Sequence, residues 1–280
     1  MMENKYACDI TFIILSKNEG KNIEKCIQSA KQIAKRIVVV DSGSTDDTVA
    51  LAEANGAEVY YHPWSGYADQ FNWGLENCNI TTEWVFRLDA DERVSEELAE
   101  EIYEALHSPA SQKIDGYTMR IHIYFMNKRL RYGGTRKLVI LRLFRFGKGR
   151  VENKPMDEHT VVEGAVQQLN HSLIHYDYKG LDAWLNKHVW YSGREIQMID
   201  AADDTLGGDL STQQKKKRGF YYRLPLFWRA RFYYWYRYYL QLGFLDGTEG
   251  KIFYYLQAYW YRFIIDAKLY EQEKAQGEDK

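Results

Sequence analysis

The sequence predicts an α/β fold: a mixed, mainly parallel sheet flanked by helices, followed by a C-terminal aromatic and basic helical extension. Short, almost purely apolar runs recur through the first third of the chain, as expected of strands buried on both faces. Segments with helical spacing separate these runs, and this alternation is typical of βαβ units with parallel strands. A concentration of aromatic and basic residues towards the end predicts the extension.

Composition supports a globular protein. The 280 residues include 37 Lys and Arg and 39 Asp and Glu, a formal net charge of −2, and 45% are hydrophobic. This hydrophobic share excludes wholesale disorder, and the near-neutral charge excludes a uniformly basic nucleic-acid binder, although not a local basic patch. The three cysteines are too scattered for a disulfide framework and lack the CxxC spacing of zinc sites, so a reducing compartment is expected.

The first four predicted strands alternate with helices. The helices are expected over 21–34, from a cap at Ser44, over 66–78, and from Ser95, where the adjacent acids suit a helix N-terminus. The strands that they separate are Ile10–Leu15, Arg36–Val40, Ala57–Tyr61 and Trp84–Leu88.

The pattern changes after residue 110. Further strands of a mixed sheet are expected at Gly116–Tyr124, Leu138–Phe144 and Leu173–Tyr178. These are followed by a helix over Lys179–Ile199, a polar linker over 200–212 and aromatic-rich helices over 225–242 and 249–270. We therefore predict a catalytic domain over 1–178 and a helical extension over 179–280. We expect neither a secretory signal nor a membrane-spanning helix, because the apolar runs are too short.

Polar clusters follow three of the predicted strands at their carboxyl ends, where ligands bind in parallel sheets. These clusters are Ser16-Lys17-Asn18-Glu19, Asp41-Ser42-Gly43-Ser44 and Asp89-Ala90-Asp91. In an extended segment Asp89 and Asp91 point the same way and suit a divalent cation that also holds phosphate, but Asp is also common in turns. Asp41 could bind a base edge or a ribose hydroxyl, or cap a helix. Asn18-Glu19 could contact a nucleoside or begin a helix.

Three later clusters have chemical and structural interpretations. Asp157-Glu158-His159 could supply a general base or form a solvated charge cluster. His175 could bind a metal or a pyrophosphate, or be a hydrogen-bonded core histidine. Gly133-Gly134-Thr135-Arg136 is similar to the phosphate loop of a nucleotidyltransferase but lies mid-chain rather than after the first strand, so it is discounted. Arg136, Lys137 and Arg142 could contact a phosphate or lie on the surface.

Taken together, these segments resemble a family 2 glycosyltransferase with the GT-A fold, closest to the branch containing lipopolysaccharide-core β-1,4-glucosyltransferases. The residues that carry the resemblance occur in the family's order along nearly the whole chain. They are Ile13 to Glu19, Val38 to Asp46, His62-Pro63-Trp64 with Gln70 and Asn72, Leu88 to Arg93, Leu141 to Phe144, Asp157-Glu158, His175-Tyr176 and Gly243 to Gly247.

The resemblance implies a role for each site residue. Asp41 and Glu19 would contact the nucleoside of a UDP-sugar, Asp89 would lie near the ribose, and Asp91 would hold Mg²⁺ or Mn²⁺ on the diphosphate. Glu158 would be the general base that deprotonates the acceptor, and His175 would lie near the metal or diphosphate. The further candidates for binding the donor are Ser16, Asn18, Gln70, Asn72 and Arg142, and the candidate metal ligands are Asp91, Asp89 and His175.

The sequence departs from the family pattern at two positions. Asp157 stands where a His often precedes the catalytic Glu, which makes it a rival base, and Phe71 stands where a Lys often follows the Gln. An inverting transfer needs a base on the acceptor and charge neutralisation on the leaving diphosphate, and it needs no protein nucleophile. We expect a metal-dependent inverting glycosyltransferase; a sugar nucleotidyltransferase and an inactive scaffold with a GT-A-like domain are the alternatives.

The last quarter of the chain has a composition of its own. Between Phe220 and Phe263 lie 20 aromatic residues, and between Leu210 and Leu245 there are eight basic residues and no acidic one. Interleaved Tyr, Trp, Lys and Arg suit a membrane interface with anionic lipid. Packing on the catalytic domain and nucleic-acid stacking are the alternatives, and nucleic acid is not expected as a partner. We expect residues 215–265 to bind the cytoplasmic face of the bacterial inner membrane peripherally, where a lipid-linked saccharide acceptor would lie.

Overall fold

The computed structural model describes residues 6–152, 159–204, 221 and 223–278. The chain divides into two compact units. The first comprises residues 1–124 and 136–179 and is called the sheet unit; the second comprises residues 125–135 and 180–280 and is called the helical unit. The predicted functional division into a catalytic domain over 1–178 and an extension over 179–280 stays a prediction.

The sheet unit is built on a mixed sheet whose first half is parallel. Its strands lie in the order β3-β2-β1-β4-β8-β6-β11-β5. The strands β3, β2, β1 and β4 are parallel to one another, and β8 is antiparallel to both β4 and β6. Beyond β6, β11 is parallel to β6, and β5 is antiparallel to β11. The strands of this sheet are β1 (Ile10–Ser16), β2 (Arg36–Asp41), β3 (Glu58–Tyr61), β4 (Trp84–Asp89), β5 (Glu92–Arg93), β6 (Gly116–Phe125), β8 (Val139–Arg145) and β11 (Val166–His175).

Both faces of the parallel half are buried. Along β1, Phe12 and Ile14 face one apolar core, whereas Ile13 and Leu15 face another. This two-sided burial explains why the strand is apolar at nearly every position rather than at alternate ones. Four helices of the sheet unit follow strands as expected: α1 (Ile23–Ala30), α2 (Thr48–Ala54), α3 (Tyr67–Asn77) and α4 (Glu96–His107). The cap predicted at Ser44 is wrong, because the N-cap residue of α2 is Asp47.

Outside the main sheet, β9 (Gly149–Val151) and β10 (Thr160–Val162) form an antiparallel pair. The predicted strand Leu173–Tyr178 is misplaced, because β11 begins at Val166 and ends at His175. Its first half is polar in sequence, and a register shift between Gln168 and Ser172 interrupts its pairing with β6. Pairing with a distant strand, rather than local hydrophobicity, therefore defines this element. The fold class predicted from the sequence is confirmed.

The helical unit contains two aromatic helical rods that each include a π-helical stretch. The first rod joins α6 (Trp228–Trp235) to the π segment Tyr236–Leu240, and the second joins α7 (Gly247–Tyr254) through the π segment Tyr255–Trp260 to α8 (Tyr261–Glu278). The unit also contains the two-residue strand β7 (Lys128–Arg129) and the long helix α5 (Leu181–Asp204). The predicted linker over 200–212 begins inside α5, and its residues from 205 onward lie outside the described residues.

Ion pairs and hydrogen bonds hold the helices of this unit together. Arg229 and Asp266 form a fully buried ion pair between α6 and α8 at 2.5 Å. Glu195 of α5 accepts a hydrogen bond from the Tyr261 hydroxyl and pairs with Arg262. Two of the eight basic residues between Leu210 and Leu245 therefore make contacts inside the unit: Arg229 donates to Asp266, and Arg237 donates to the Gly133 carbonyl. In the described part of the chain, no helix has the length and apolar character needed to span a bilayer.

Candidate functional site

The carboxyl ends of β1, β2 and β4 lie side by side, so three of the predicted polar clusters meet at one edge of the sheet. Ser16 is the register partner of Asp41, and Leu15 is the partner of Asp89. The sequence predicted this meeting from strand order alone, since carboxyl ends of adjacent parallel strands lie on the same edge. The site is therefore organised by the parallel half of the sheet.

Asp41 organises the loop after β2. One carboxylate oxygen accepts hydrogen bonds from the hydroxyls of Ser16 (2.8 Å) and Ser44 (2.5 Å). The other accepts the backbone N–H groups of Gly43 (2.8 Å) and Ser44 (2.7 Å). The side chain is buried, so these four donors compensate its loss of hydration. Its local contacts are those of the turn interpretation, and two of them are hydroxyls, which reorient readily.

Asn18 links the loop after β1 to the same turn. It adopts a left-handed backbone conformation, with φ of 53°, which Asn tolerates better than most residues. Its backbone N–H donates to the Ser44 hydroxyl, and its side-chain oxygen accepts the Thr45 N–H, both at 2.8 Å. Asn18 is itself exposed, so the two loops form one connected rim with a side chain open to solvent.

Asp89 is held by arginines. Its carboxylate lies 2.6 Å from Arg142 Nη2 and 3.7 Å from Arg87 Nε. Arg142 also pairs with the buried carboxylate of Glu92 at 2.5 Å. Burial tends to raise the pKa of Asp89, but the charges of Arg142 and Arg87 outweigh burial and lower it below its usual range. Asp89 is thus a fixed anion in this arrangement.

Burial and the partner's charge act in opposite directions on the pKa values of both Glu92 and Arg142. Burial raises the pKa of Glu92, with the charge of Arg142 acting against it. Burial would lower the pKa of Arg142, but the carboxylates of Asp89 and Glu92 raise it overall. Arg142 was predicted from the sequence as a possible phosphate contact, but in the structure its guanidinium group pairs with the carboxylates of Asp89 and Glu92. Neither Arg87 nor Glu92 was predicted as a site residue, although an arginine within the apolar strand Trp84–Asp89 indicates a buried ionic partner.

Asp91 lies beside His175. The short strand β5 pairs with the end of β11, with Glu92 opposite His175. This pairing places Asp91 Oδ2 3.4 Å from His175 Nε2, and the Tyr176 N–H donates to the Asp91 carbonyl at 2.8 Å. Residues 84 positions apart in sequence thus converge, and Asp91 is buried while His175 is partly exposed.

The spacing of this pair is compatible with a divalent cation bound through one carboxylate oxygen and one imidazole nitrogen. Ligands about 2.1 Å from an octahedral cation lie about 3 Å apart, so the observed separation is compatible with a shared ion. Within the described ranges, no three His, Cys, Asp or Glu side chains are grouped as a metal site. Mg²⁺ and related ions commonly take only one or two protein carboxylates and complete their shell with water and substrate phosphates. The donor set therefore fits a cation that is held jointly with a diphosphate.

Glu19 belongs to a partly buried network that joins the β1 loop to the segment after β11. Asn22, which is 0% exposed, donates to Glu19 and to Asp177, each at 2.8 Å, and accepts the Tyr178 N–H at 2.9 Å. Lys179 Nζ lies 2.5 Å from the other Glu19 oxygen. Burial raises the pKa of Glu19, Lys179 opposes the shift, and the negative charge of Asp91 adds to it. Glu19 is thus electrostatically coupled to Asp91.

We expect Asn22→Asp to weaken the response to Mn²⁺. The new carboxylate would face Glu19 and Asp177, so the segment that follows His175 would lose its attachment to the β1 loop. Asn22 acts on the Asp91–His175 pair through this segment rather than by a direct bond, so we expect a loss of metal affinity of up to roughly tenfold, the lower end of what loss of a direct outer-shell partner gives. A Mn²⁺ titration of donor hydrolysis measures the change, with the melting temperature recorded for both proteins. Asn77→Asp, at the exposed end of α3, is the matched control, and an unaltered Mn²⁺ requirement in Asn22→Asp would contradict the assignment.

Gln70 and Asn72 lie on α3 and differ in their surroundings. Gln70 is buried and donates to the His62 carbonyl at 3.1 Å, while among the described residues its Oε1 has no hydrogen-bond partner. A buried acceptor of this kind is expected to bond a ligand or an ordered water. Both amide atoms of Asn72 bond the backbone of Val151, so this side chain fixes β9 on α3. Their roles in donor binding stay predictions.

The two candidate bases, Asp157 and Glu158, lie outside the described residues. The strands on either side pair, with Val151 opposite Thr160, and the Glu152 N–H donates to the His159 carbonyl at 3.0 Å. The assignment of the base therefore stays a prediction that mutation must test.

Comparison with known proteins assigns the family. The family model described as glycosyl transferase family 2 matches residues 11–162, which include each candidate site residue except His175. The lipopolysaccharide core biosynthesis glycosyltransferase LpsC of Rhizobium meliloti is 31% identical over 278 residues, covering 94% of this chain and 92% of the relative. An uncharacterized glycosyltransferase of Rickettsia bellii is 30% identical over 275 residues, covering 94% and 86% respectively.

The match to a solved structure covers less of the chain than the matches to these relatives. The glucosyl-3-phosphoglycerate synthase from Mycobacterium tuberculosis, in complex with Mn²⁺, UDP and glucosyl-3-phosphoglycerate, matches 43% of this chain and 46% of its own, at 23% identity and a TM-score of 0.34. An overlap of this extent assigns no ligand to the present protein. The family match covers more than half of the chain and the relatives cover nearly all of it, which confirms the resemblance seen in the sequence. The chain belongs to glycosyltransferase family 2 and is a glycosyltransferase.

Proposed function

We propose that this protein is a metal-dependent inverting glycosyltransferase that moves a sugar from a UDP-sugar to a saccharide acceptor on a lipid anchor. One observation carries the proposal: Asp91 and His175, which are distant in sequence, lie 3.4 Å apart beside the carboxyl ends of β1, β2 and β4. A cation-binding pair next to a rim of hydrogen-bonding loops suits a nucleotide diphosphate.

Asp91 and His175 would hold Mg²⁺ or Mn²⁺, and the ion would neutralise the charge that develops on the leaving diphosphate. Asp89 would remain fixed by Arg142 and Arg87 and orient the loop that carries Asp91. The buried Arg142, which pairs with both Asp89 and Glu92, together with Arg87 beside Asp89, would offset these two negative charges and so limit their repulsion of the diphosphate.

The rim formed by the loops after β1 and β2 would receive the nucleoside. Asp41 accepts two hydroxyl hydrogen bonds, from Ser16 and Ser44, and a base N–H or a ribose hydroxyl could replace either of them. Asn18 is exposed at the same rim. Glu158 would deprotonate the acceptor hydroxyl, with Asp157 as the rival base, and no covalent intermediate is required.

A lipid-linked acceptor is supported by the relative that functions in lipopolysaccharide core biosynthesis. It is also supported by the exposed aromatic side chains of the helical unit, which include Trp228, Phe232 and Trp235. Tyr and Trp favour the membrane–water interface, where such an acceptor would reside. We therefore place the enzyme peripherally at the cytoplasmic face of the bacterial inner membrane, with contact through residues 215–265.

A screen of UDP-sugars for hydrolysis by the full chain, with Mn²⁺ and without acceptor, tests the proposal. We expect one or a few UDP-sugars to release UDP, and chelation of the metal to stop the reaction. Pyrophosphate release from UTP and a sugar phosphate would instead identify a nucleotidyltransferase. Binding of UDP without release of sugar from any donor would identify an inactive scaffold.

A further inference from the structure

The turn between the two aromatic rods of the helical unit presents apolar side chains to solvent. We call residues 240–245 the apolar turn. Leu240 is 58% exposed and Leu245 is 50% exposed, and Leu242 and Phe244 are also exposed. Four large apolar side chains within six residues of a turn form a contiguous stretch of sequence that an ordinary soluble surface rarely carries.

The surrounding structure holds this turn in a defined shape. Leu242 adopts the left-handed conformation, with φ of 59°, which is unfavourable for a leucine. Gly243 is closely packed, since a Cβ there would lie 2.8 Å from the Tyr254 ring and 2.9 Å from the Arg237 carbonyl oxygen. The exposed leucine is thus kept in a strained conformation next to a position that only glycine fits.

Asp246 anchors the turn to the rest of the helical unit. Its buried carboxylate accepts the N–H groups of Arg131 (2.8 Å) and Tyr132 (3.0 Å) and the hydroxyl of Tyr254 (2.8 Å). These bonds compensate the burial of the charge, so the first acidic residue after 210 contributes nothing to the surface. The apolar turn is therefore rigidly supported from within while its own side chains point outward.

The neighbouring surface has the composition of a lipid interface. Trp235, Tyr236 and Tyr239, at the end of the first rod, are all exposed. In sequence, residues 211–245 contain no acid, and Lys215 to Arg218 is a continuous basic run. Exposed aromatic residues match the headgroup region of a membrane, and the excess of basic residues in this part of the sequence favours anionic lipid. Among the described residues just after the turn, Glu249 is paired with Lys128 and Lys251 is exposed.

We propose that the apolar turn inserts into the bilayer below the headgroups, with Leu240, Leu242, Phe244 and Leu245 among the acyl chains and the adjacent Tyr and Trp side chains at headgroup level. This inference rests on the proposed function, whose acceptor lies on a membrane, and identifies the segment that penetrates. Insertion provides a reason for holding a strained leucine outside, because burial of apolar surface in lipid is favourable.

The test uses the full chain and vesicles that mix phosphatidylcholine with phosphatidylglycerol. The double variant Leu242→Ser/Leu245→Ser preserves the charge. We expect it to co-sediment with the vesicles at least roughly tenfold more weakly than wild type, because two leucine side chains no longer enter the apolar phase. Phe146→Ser is the matched control: Phe146 is an exposed apolar residue in a turn at the amino end of β4, where its N–H donates to the Glu83 carbonyl, and its loss should leave binding unchanged.

A fluorescent label reports insertion directly. The native cysteines are all buried, so an environment-sensitive dye can be attached selectively to Leu245→Cys or Phe146→Cys. Vesicles should shift the emission of the label at 245 to the blue and leave the label at 146 as it is in water. A label at 245 that stays aqueous, or a double variant that binds vesicles as wild type does, would overturn the inference.

Two further readouts separate the possibilities. Sedimentation of the lipid-free proteins must show the same oligomeric state for wild type and the double variant; a wild-type dimer that the double variant dissociates would assign the turn to a second copy and overturn the inference. UDP-sugar hydrolysis should be equal in both proteins. If the turn inserts but the wild type hydrolyses no UDP-sugar, the proposed function fails and the membrane contact stands.

Discussion

Asp91→Ala is expected to abolish sugar transfer, with a loss of roughly a thousandfold or more, because charge stabilisation by a metal contributes several kcal/mol to such reactions. Asp91 is buried and lies 3.4 Å from His175, so its removal leaves the imidazole as the remaining member of the proposed cation-binding pair. The rate of UDP release from the preferred donor, measured over a range of Mn²⁺ concentrations, is the appropriate quantity. Excess Mn²⁺ should restore little of the activity.

The matched control for Asp91 is Asp9→Ala. Asp9 pairs with Lys35 and accepts the Glu83 N–H at the amino end of the sheet, opposite to the site. This variant should retain the wild-type rate and metal dependence, whatever small loss of stability it carries. If Asp91→Ala and Asp9→Ala both transfer sugar at the wild-type rate, a cation at Asp91 is not required for transfer.

Glu158→Gln is expected to bind the donor and lose transfer. The amide preserves the size of the side chain but accepts no proton, and a positioned general base typically contributes roughly 10²–10⁴-fold to the rate. The affinity for UDP, measured by calorimetry as a substitute for donor binding, should be unchanged. The rate of transfer to the acceptor should fall by roughly 10²–10⁴-fold. The separation of binding from turnover is what distinguishes a base from a residue that shapes the donor site.

Asp157→Asn decides between the two neighbouring acids. If Asp157→Asn is inactive and Glu158→Gln is active, Asp157 is the base and the family pattern misleads at this position. Glu163→Gln, whose side chain is exposed after β10, is the control and should behave as wild type. Full activity of both amide variants would exclude both residues as the base.

The parallel half of the fold was predictable because its signals are local. Ile10–Ser16 and Arg36–Asp41 are apolar on both faces, and each is followed by a polar loop and a helix. The meeting of Asp41 and Asp89 at one edge follows from this order. The second half of the sheet was less predictable, since the two-residue strand β5 is defined by its pairing with the end of β11, and the polar start of β11 is defined by its pairing with β6.

The convergence of the candidate site's carboxylates was predictable, whereas the groups that pair with them were less so. Asp89 was assigned from the sequence, but its pairing with Arg142, 53 residues away, depends on β8 lying next to β4. Asn22 has no marker in the sequence, since an Asn before a helix is most simply a cap; in the structure its side chain makes no capping bond and instead reaches Asp177, 155 residues away. Such contacts depend on topology, which single residues do not encode.

Binding of a nucleotide diphosphate through a cation at Asp91 is tested most directly by calorimetric titration of the full chain with UDP. We predict that wild type binds UDP in Mn²⁺, that chelation of the metal weakens this binding strongly, and that Asp91→Asn binds UDP equally weakly under both conditions. UDP affinity that is the same with Mn²⁺ and with chelator in wild type, or that is unaltered by Asp91→Asn, would contradict the account.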